Sequence, residues 1–171
     1  MSSPARPRLT RRSGEDAAQR LEIPQKTIEK LLQIGTYAPT GSNSQGVSYL
    51  IISGKENIFA LAEITAEWME LEAEKGGLWA RYFKGAVKNF RSSGTDTILR
   101  GAPHLIITVS DSRNTAGTDS ARYALTFIDI YAHSMQLGTC FAGFFMMAGM
   151  NRFPKLMSFL EIPEVKMITG A

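Results

Sequence analysis

The chain alternates between stretches whose apolar residues recur every three or four positions and short runs that are apolar almost throughout. After Ile23-Pro24, residues Ile28, Leu31, Leu32 and Gly35 follow at helical spacing. That helix is predicted to end before Pro39, which disfavours a helical Ala38. Val47 to Ile52, broken only by Ser48, predicts a strand buried on both faces. From Glu56 to about Lys75, Ile58, Leu61, Ala62, Thr65, Trp68 and Met69 line one face of a second helix, stopped by Gly76-Gly77. In residues 78–100, Trp79, Tyr82, Phe83, Val87 and Phe90 are interleaved with Arg81, Lys84, Lys88 and Arg91. Two readings stand there: a basic and aromatic surface for nucleic acid, or an amphipathic helix whose cations are in water.

Leu105 to Val109 predicts a second buried strand, and Asp111 to Thr118 a polar loop. Asp119 to Leu137 is the longest apolar helix, with Ala121, Ala124, Leu125, Ile128, Tyr131, Ala132 and Met135 suited to a central packing position. Thr139 to Phe144 reads as a short strand or extended turn, Arg152 to Leu160 as a final helix before Ile162-Pro163, and Val165 to Ala171 as the start of a strand. His104 at a strand entrance and His133 within a helix have no companion at metal-ligand spacing and are read as structural.

A chain of 171 residues suggests one domain or one subunit of a compact dimer, and 44% hydrophobic with 20% charged residues is ordinary for a globular protein. The net charge of +3 is too small to argue for nucleic acid, since Arg6, Arg8, Arg11 and Arg12 concentrate it near the start. Residues 1–10 are expected to form a basic flexible arm, and 11–171 a single domain. One cysteine excludes an internal disulfide and a cysteine-rich zinc site, and fits a reducing, cytoplasmic setting. The arginines at the start are followed by no apolar run, so a secretory signal is not expected. Cys140 to Met150, the most apolar patch, is too short and glycine-rich to span a bilayer.

Residues 37–45, Tyr-Ala-Pro-Thr-Gly-Ser-Asn-Ser-Gln, stand between the first helix and the first strand. Thr40, Ser42, Asn43, Ser44 and Gln45 can donate or accept hydrogen bonds, while Pro39 and Gly41 shape the backbone. None is an acid, a base or a nucleophile, so the turn suits recognition of a planar ligand with polar edges. Elsewhere no Gly-x-Gly-x-x-Gly follows a strand and no Gly-x-x-x-x-Gly-Lys-Ser/Thr is present. No serine-nucleophile signature or metal cluster appears either. What remains is a bound cofactor that carries the chemistry while the protein supplies position and field.

Four stretches occur in one order: Arg11-Arg12-Ser13, the turn at 37–45, Gly101-Ala102-Pro103-His104, and Gly138-Thr139-Cys140-Phe141-Ala142-Gly143-Phe144. From Arg11 to Ala171 the sequence resembles the nitroreductase family of FMN-dependent oxidoreductases. The resemblance implies an α+β fold, a mixed or antiparallel sheet flanked by helices, in a homodimer whose subunits share the flavin site. It implies FMN as cofactor, with Arg11, Arg12 and Ser13 at the phosphate and Pro39, Thr40, Gly41 and Ser42 near the ribityl chain and ring. Asn43 and Gln45 correspond to positions reaching the ring or crossing the dimer interface. Cys140, Ala142 and Gly143 correspond to a small-residue wall beside the isoalloxazine, with Cys140 a packing residue rather than a nucleophile. Residues 78–100 correspond to the cover over the flavin, where substrate selection is expected. The implied reaction is ping-pong: NADH or NADPH delivers hydride to the flavin, and a nitroaromatic, quinone or similar small acceptor removes it.

Three departures bear on that expectation. Family members place Arg or Lys two positions after the motif's serine, where this chain has Glu15; a basic segment that crosses to the partner lies beyond a Gly-Ala such as Gly170-Ala171; and Gly46 replaces a proline after Gln45, which is expected to loosen the exit from the turn. Two missing charge-assisted hydrogen bonds, at about 1.5–3 kcal/mol each, correspond to roughly two to four powers of ten in affinity. The alternatives are a flavin-binding protein of the same fold without turnover, a specialised relative such as a reductive dehalogenase or flavin-fragmenting enzyme, and a dimeric scaffold without flavin.

Overall fold

In the computed structural model, which describes residues 22–171, strands β1 (Ser48–Ser53), β2 (His104–Asp111) and β3 (Lys166–Gly170) form an antiparallel sheet in the order β1-β2-β3. Alternation along the strands sends side chains to two different cores. Leu105, Ile107 and Val109 of β2, with Leu50 and Ile52 of β1, face a large core built with helices α2 (Lys55–Glu74), α5 (Gly143–Met150) and α6 (Pro154–Phe159). Helix α3 (Ala80–Ser93) lies outside α2 and adds Phe83, Val87 and Phe90 to that core. Ile106 of β2 and Tyr49 of β1 point the other way, toward Leu31 of α1 (Gln25–Gly35) and Leu125, Ile128 and Ala132 of α4 (Gly117–Ser134). Fully buried side chains such as Leu61, Ile107 and Ile168 each stabilise the fold by roughly 1.5–3 kcal/mol.

The α+β expectation with an antiparallel sheet therefore holds, as do α1, α2, α3, α4 and all three strands to within a few residues. The apolar face expected of the second helix is buried at each named position. Three expectations need correction. β1 is not buried on both faces: it is exposed at its ends and half-buried between them, because among the described residues only β2 pairs with it. Residues 143–150 form α5, where the 139–144 stretch was expected to end as a strand or turn. Its composition is apolar nearly all round, so no polar face marks it as a helix. The last helix begins at Pro154 rather than Arg152, since Asn151 and Arg152 form a turn in which Arg152 has φ 50°.

Two polar details mark the ends of β2. The ring of His104 accepts the Ile23 N–H on Nε2 at 2.9 Å, which leaves the proton on Nδ1 to be donated to Ser53 Oγ at 2.7 Å. It thus ties the start of α1 to the end of β1. At the other end of β2, Ser110 Oγ is buried with no hydrogen-bond partner among the described residues, and Gly117 packs closely against it: a Cβ on Gly117 would lie 2.3 Å from that oxygen.

Both details are testable. Gly117→Ala should lower stability by roughly 1–3 kcal/mol through overpacking. Ser110→Ala alone should be neutral to stabilising, and combining the two should recover part of the loss, read from denaturant unfolding midpoints. Burial lowers the His104 pKa from its ordinary 6.5, against a smaller opposing pull from Glu22. The unfolded chain therefore binds the proton more readily, so stability should be constant above about pH 7 and fall as pH drops through about 6.5. His104→Gln should flatten that decline in the thermal midpoint; an unchanged slope would remove the assignment.

Candidate functional site

The 37–45 turn is rigid beneath and open above. Asn43 N–H donates to Thr40 O and Ser44 N–H to Gly41 O, both at 3.0 Å, closing a 3₁₀ turn over Gly41–Asn43. Gln45 N–H donates to Thr40 Oγ1 at 3.1 Å, and Gly41 N–H to the buried Ser120 Oγ of α4 at 3.3 Å. A Cβ on Gly41 would lie 2.3 Å from the Ala116 Cβ, so only glycine lets the turn rest on the start of α4. Ser42, Asn43 and Gln45 hold left-handed φ of 52°, 52° and 48°. Such backbone costs roughly 1–2 kcal/mol per residue for ordinary side chains, less for asparagine. The side chains of Ser42, Asn43, Ser44 and Gln45 are exposed and make no hydrogen bond among the described residues. Strained backbone carrying four unengaged polar groups points to an external ligand.

The support for this turn was not foreseen. Asp111 Oδ1 accepts both N–H and Nε of Arg113, at 2.9 and 3.0 Å, and Asn114 Oδ1 accepts the Ala116 N–H at 3.1 Å. The Arg113 hydrogen bonds hold the Asp111 pKa down at about 2, so this carboxylate stays ionised across the physiological range. Asn114 also corrects the reading of Gly46. A Cβ there would approach Asn114 Nδ2 to 2.9 Å, so the glycine marks a crowded exit rather than a loose one. An Asn before a helix is a visible turn signal; its contact with a segment some seventy residues earlier is not.

The small-residue wall lies elsewhere. Residues 139–142 have no regular structure and lead into α5. Ala142 N–H donates to Ala171 O at 3.1 Å, which ties the wall to the end of β3. Thr139 Oγ1 bonds Asp129 of α4. Ala142 is half-buried, and a Cβ on Gly143 would meet nothing within 4 Å, so the space beside this backbone is open. Cys140 is exposed, its Sγ donating to Phe141 O at 3.6 Å.

The fold does not bring turn and wall together in one chain. They attach to α4 through Ser120 and Asp129, about 14 Å apart along the axis at 1.5 Å per residue and half a rotation apart around it. Arg11, Arg12, Ser13 and Glu15 lie outside the described residues. The stretch expected to cover the flavin forms α3, which buries Phe83, Val87 and Phe90 and exposes Trp79 and Tyr82. Its Arg91 is engaged by Glu63 and by Glu70, the latter at 3.1 Å, so the helix is amphipathic and one of its four cations is committed to packing. His133 Nδ1 lies 2.7 Å from the Asp129 carbonyl, one turn back in the same helix. No helix among the described residues is long and apolar enough to cross a membrane.

Comparison with known proteins gives this geometry a context. The chain resembles a nitroreductase with bound FMN from Bacteroides fragilis NCTC 9343, with TM-score 0.72 and 17% identity over 88% of this chain and 76% of that one. It is also similar to an oxidised iodotyrosine deiodinase bound to FMN and 3-iodo-L-tyrosine, with TM-score 0.65 and 15% identity over 89% and 78% of the two chains. A BluB-like flavoprotein from Clostridium difficile 630 matches with TM-score 0.65 and 15% identity, covering 88% and 79%. Among curated proteins the sequence has no match. The Nitroreductase family model matches residues 10–171, and the chain belongs to the nitroreductase family.

Proposed function

We propose that two copies of this chain pair through α4 and hold FMN where the polar turn of one subunit faces the 139–143 wall of the other. Bound there, FMN would take hydride from NADH or NADPH and pass it to a nitroaromatic, a quinone or a similar small acceptor. The residues divide the work by chemistry. Ser42, Asn43 and Gln45 present hydrogen-bonding groups to the ribityl chain and ring edge from backbone that Pro39, Thr40 and Gly41 hold in place. Arg11 and Arg12 give planar forks for phosphate oxygens and Ser13 a short donor. Ala142 and Gly143, with Cys140 beside them, leave room for the ring, and α3 covers the site against water and selects the acceptor.

One observation carries this reading: the four side chains at 42–45 have no hydrogen-bond partner among the described residues although the backbone beneath them is fixed. Pairing is supported by α4, whose Tyr123, Phe127 and Ile130 form an exposed apolar stripe at helical spacing, Ile130 being 66% exposed. The single cysteine suits a cytoplasmic setting. A second reading, reductive removal of halide from an aromatic substrate, is favoured by the likeness to iodotyrosine deiodinase.

Purified protein mixed with FMN should retain a visible flavin spectrum after desalting, and anaerobic NADH or NADPH should bleach it. A colourless, inactive protein would refute flavin binding; a yellow protein that neither nucleotide bleaches would mark a flavoprotein without this turnover. Halide release from a haloaromatic would select the second reading. Asn43→Gly keeps the left-handed backbone and removes one hydrogen-bonding side chain, so FMN affinity should fall about two- to tenfold with the unfolding midpoint of the flavin-free protein unchanged.

A further inference from the structure

A groove of about 600 Å³ runs along the outer face of α3, opposite the face that Phe83, Val87 and Phe90 bury. Its apolar walls are Leu78, Tyr82 and Phe144. Leu78 is 93% exposed and Tyr82 59%, and the Tyr82 and Phe144 rings stand 5.7 Å apart at 48°, which leaves aromatic surface open to solvent. Phe144 directly follows Gly143, so the groove adjoins the wall assigned to the flavin ring. Its volume falls within the range of about 300–1,000 Å³ common for small-molecule sites.

The rim chemistry is one-sided. Among the described residues that line the groove, Arg81 and Arg100 are cationic and none is a carboxylate, and Arg81 is the cation on which the recognition rests. Arg81 is exposed and makes no hydrogen bond or ion pair with a described residue. The loop that carries Arg100 is fixed: the Asp96 carboxylate accepts the N–H groups of Ile98, Leu99 and Gly101 at 3.0, 2.8 and 2.9 Å. Within that loop Arg100 is held at a left-handed φ of 59°. By contrast, the groove at the far end of α2 is lined by Glu72 and Glu74 together with Lys75, which pairs with Glu72. Between the walls, Gly85 leaves the floor bare. A Cβ there would meet nothing within 4 Å, so packing does not require a glycine in this helix interior. Its effect is clearance above α3.

We infer that this groove selects aromatic acceptors that carry an anionic group, the ring lying against Tyr82, Phe144 and Leu78 and a carboxylate or equivalent anion meeting the guanidinium of Arg81 beside Arg100. The inference rests on the FMN-dependent reading above, since it names the substrate class of that same site. Arginine is suited to this task because its planar fork matches two carboxylate oxygens.

The test is equilibrium binding of two non-reducible probes, 2-naphthoate and its neutral isostere 2-naphthamide, followed by Trp79 quenching or calorimetry on the FMN-loaded protein and on the flavin-free protein. Naphthoate should bind about ten- to a hundredfold tighter than naphthamide, the factor expected of one charge-assisted hydrogen-bonded pair. Arg81→Gln, a change at an exposed side chain, should reduce that ratio to within about threefold of unity, chiefly by weakening naphthoate. Gly85→Leu should weaken both probes by filling the floor. Equal affinities in the parent protein, or a ratio that survives Arg81→Gln, would overturn the inference. If the protein binds and turns over flavin with neutral nitroarenes but shows no preference for naphthoate, only this inference fails. If it binds no flavin, the functional reading fails, and the probe ratio on the flavin-free protein still decides whether the groove takes aromatic anions.

Discussion

The contact between the 37–46 turn and the first turn of α4 is the constraint on which the rest of the arrangement depends. Gly41 lies against Ala116, its N–H reaches the buried Ser120 hydroxyl, and Gly46 lies against Asn114. These contacts supply no chemistry of their own. They hold three non-glycine residues in left-handed backbone and so force a row of polar side chains outward. The cost of that backbone, of order a few kcal/mol, is tolerable only because α4 is anchored on both the sheet and α1. Gly35 of α1 shows how tight that anchoring is, since a Cβ there would lie 3.1 Å from Ile128 of α4.

The same helix separates the two halves of the candidate site. With the turn held at its N-terminal end and Thr139 bound to Asp129 on the other side nearer its C-terminal end, one chain presents two half-sites facing away from each other. Two chains related by a twofold axis, as proposed, would turn that separation into an advantage, because each turn could then meet the other subunit's wall. The exposed Tyr123, Phe127 and Ile130 stripe lies on the helix that would form the seam. In the proposed assembly a closed cofactor site and a buried apolar stripe would both follow from one pairing.

Much of this was legible in the amino-acid sequence, and the reasons for the rest are physical. α1, α2 and α4 carry apolar residues at helical spacing with polar faces between, and Pro24, Gly76-Gly77 and Pro39 punctuate them. α5 carries no such contrast: Phe, Met, Ala and Gly surround it, and its burial against Ile168 is a matter of tertiary packing. The polar turn could be singled out by residue type, but not the strain that aims its side chains. Asn114, Ala116 and Ser120 could not be connected to it without the fold. On α3, the mixture of aromatic and basic residues was visible; that Arg91 belongs to Glu63 and Glu70 while Arg81 faces a groove was not.

The sharing of one flavin site by two chains can be measured by complementation. One variant replaces Ser42, Asn43 and Gln45 with glycine, which keeps the left-handed backbone and strips the turn. The other is Gly143→Trp, which blocks the wall. Each alone should lose FMN binding, whereas refolding the two together should restore roughly a quarter of the sites, since half the dimers are mixed and each mixed dimer holds one intact site. No recovery in mixtures shown by sedimentation to contain mixed dimers would mean that turn and wall serve the same chain's site, contradicting the shared arrangement.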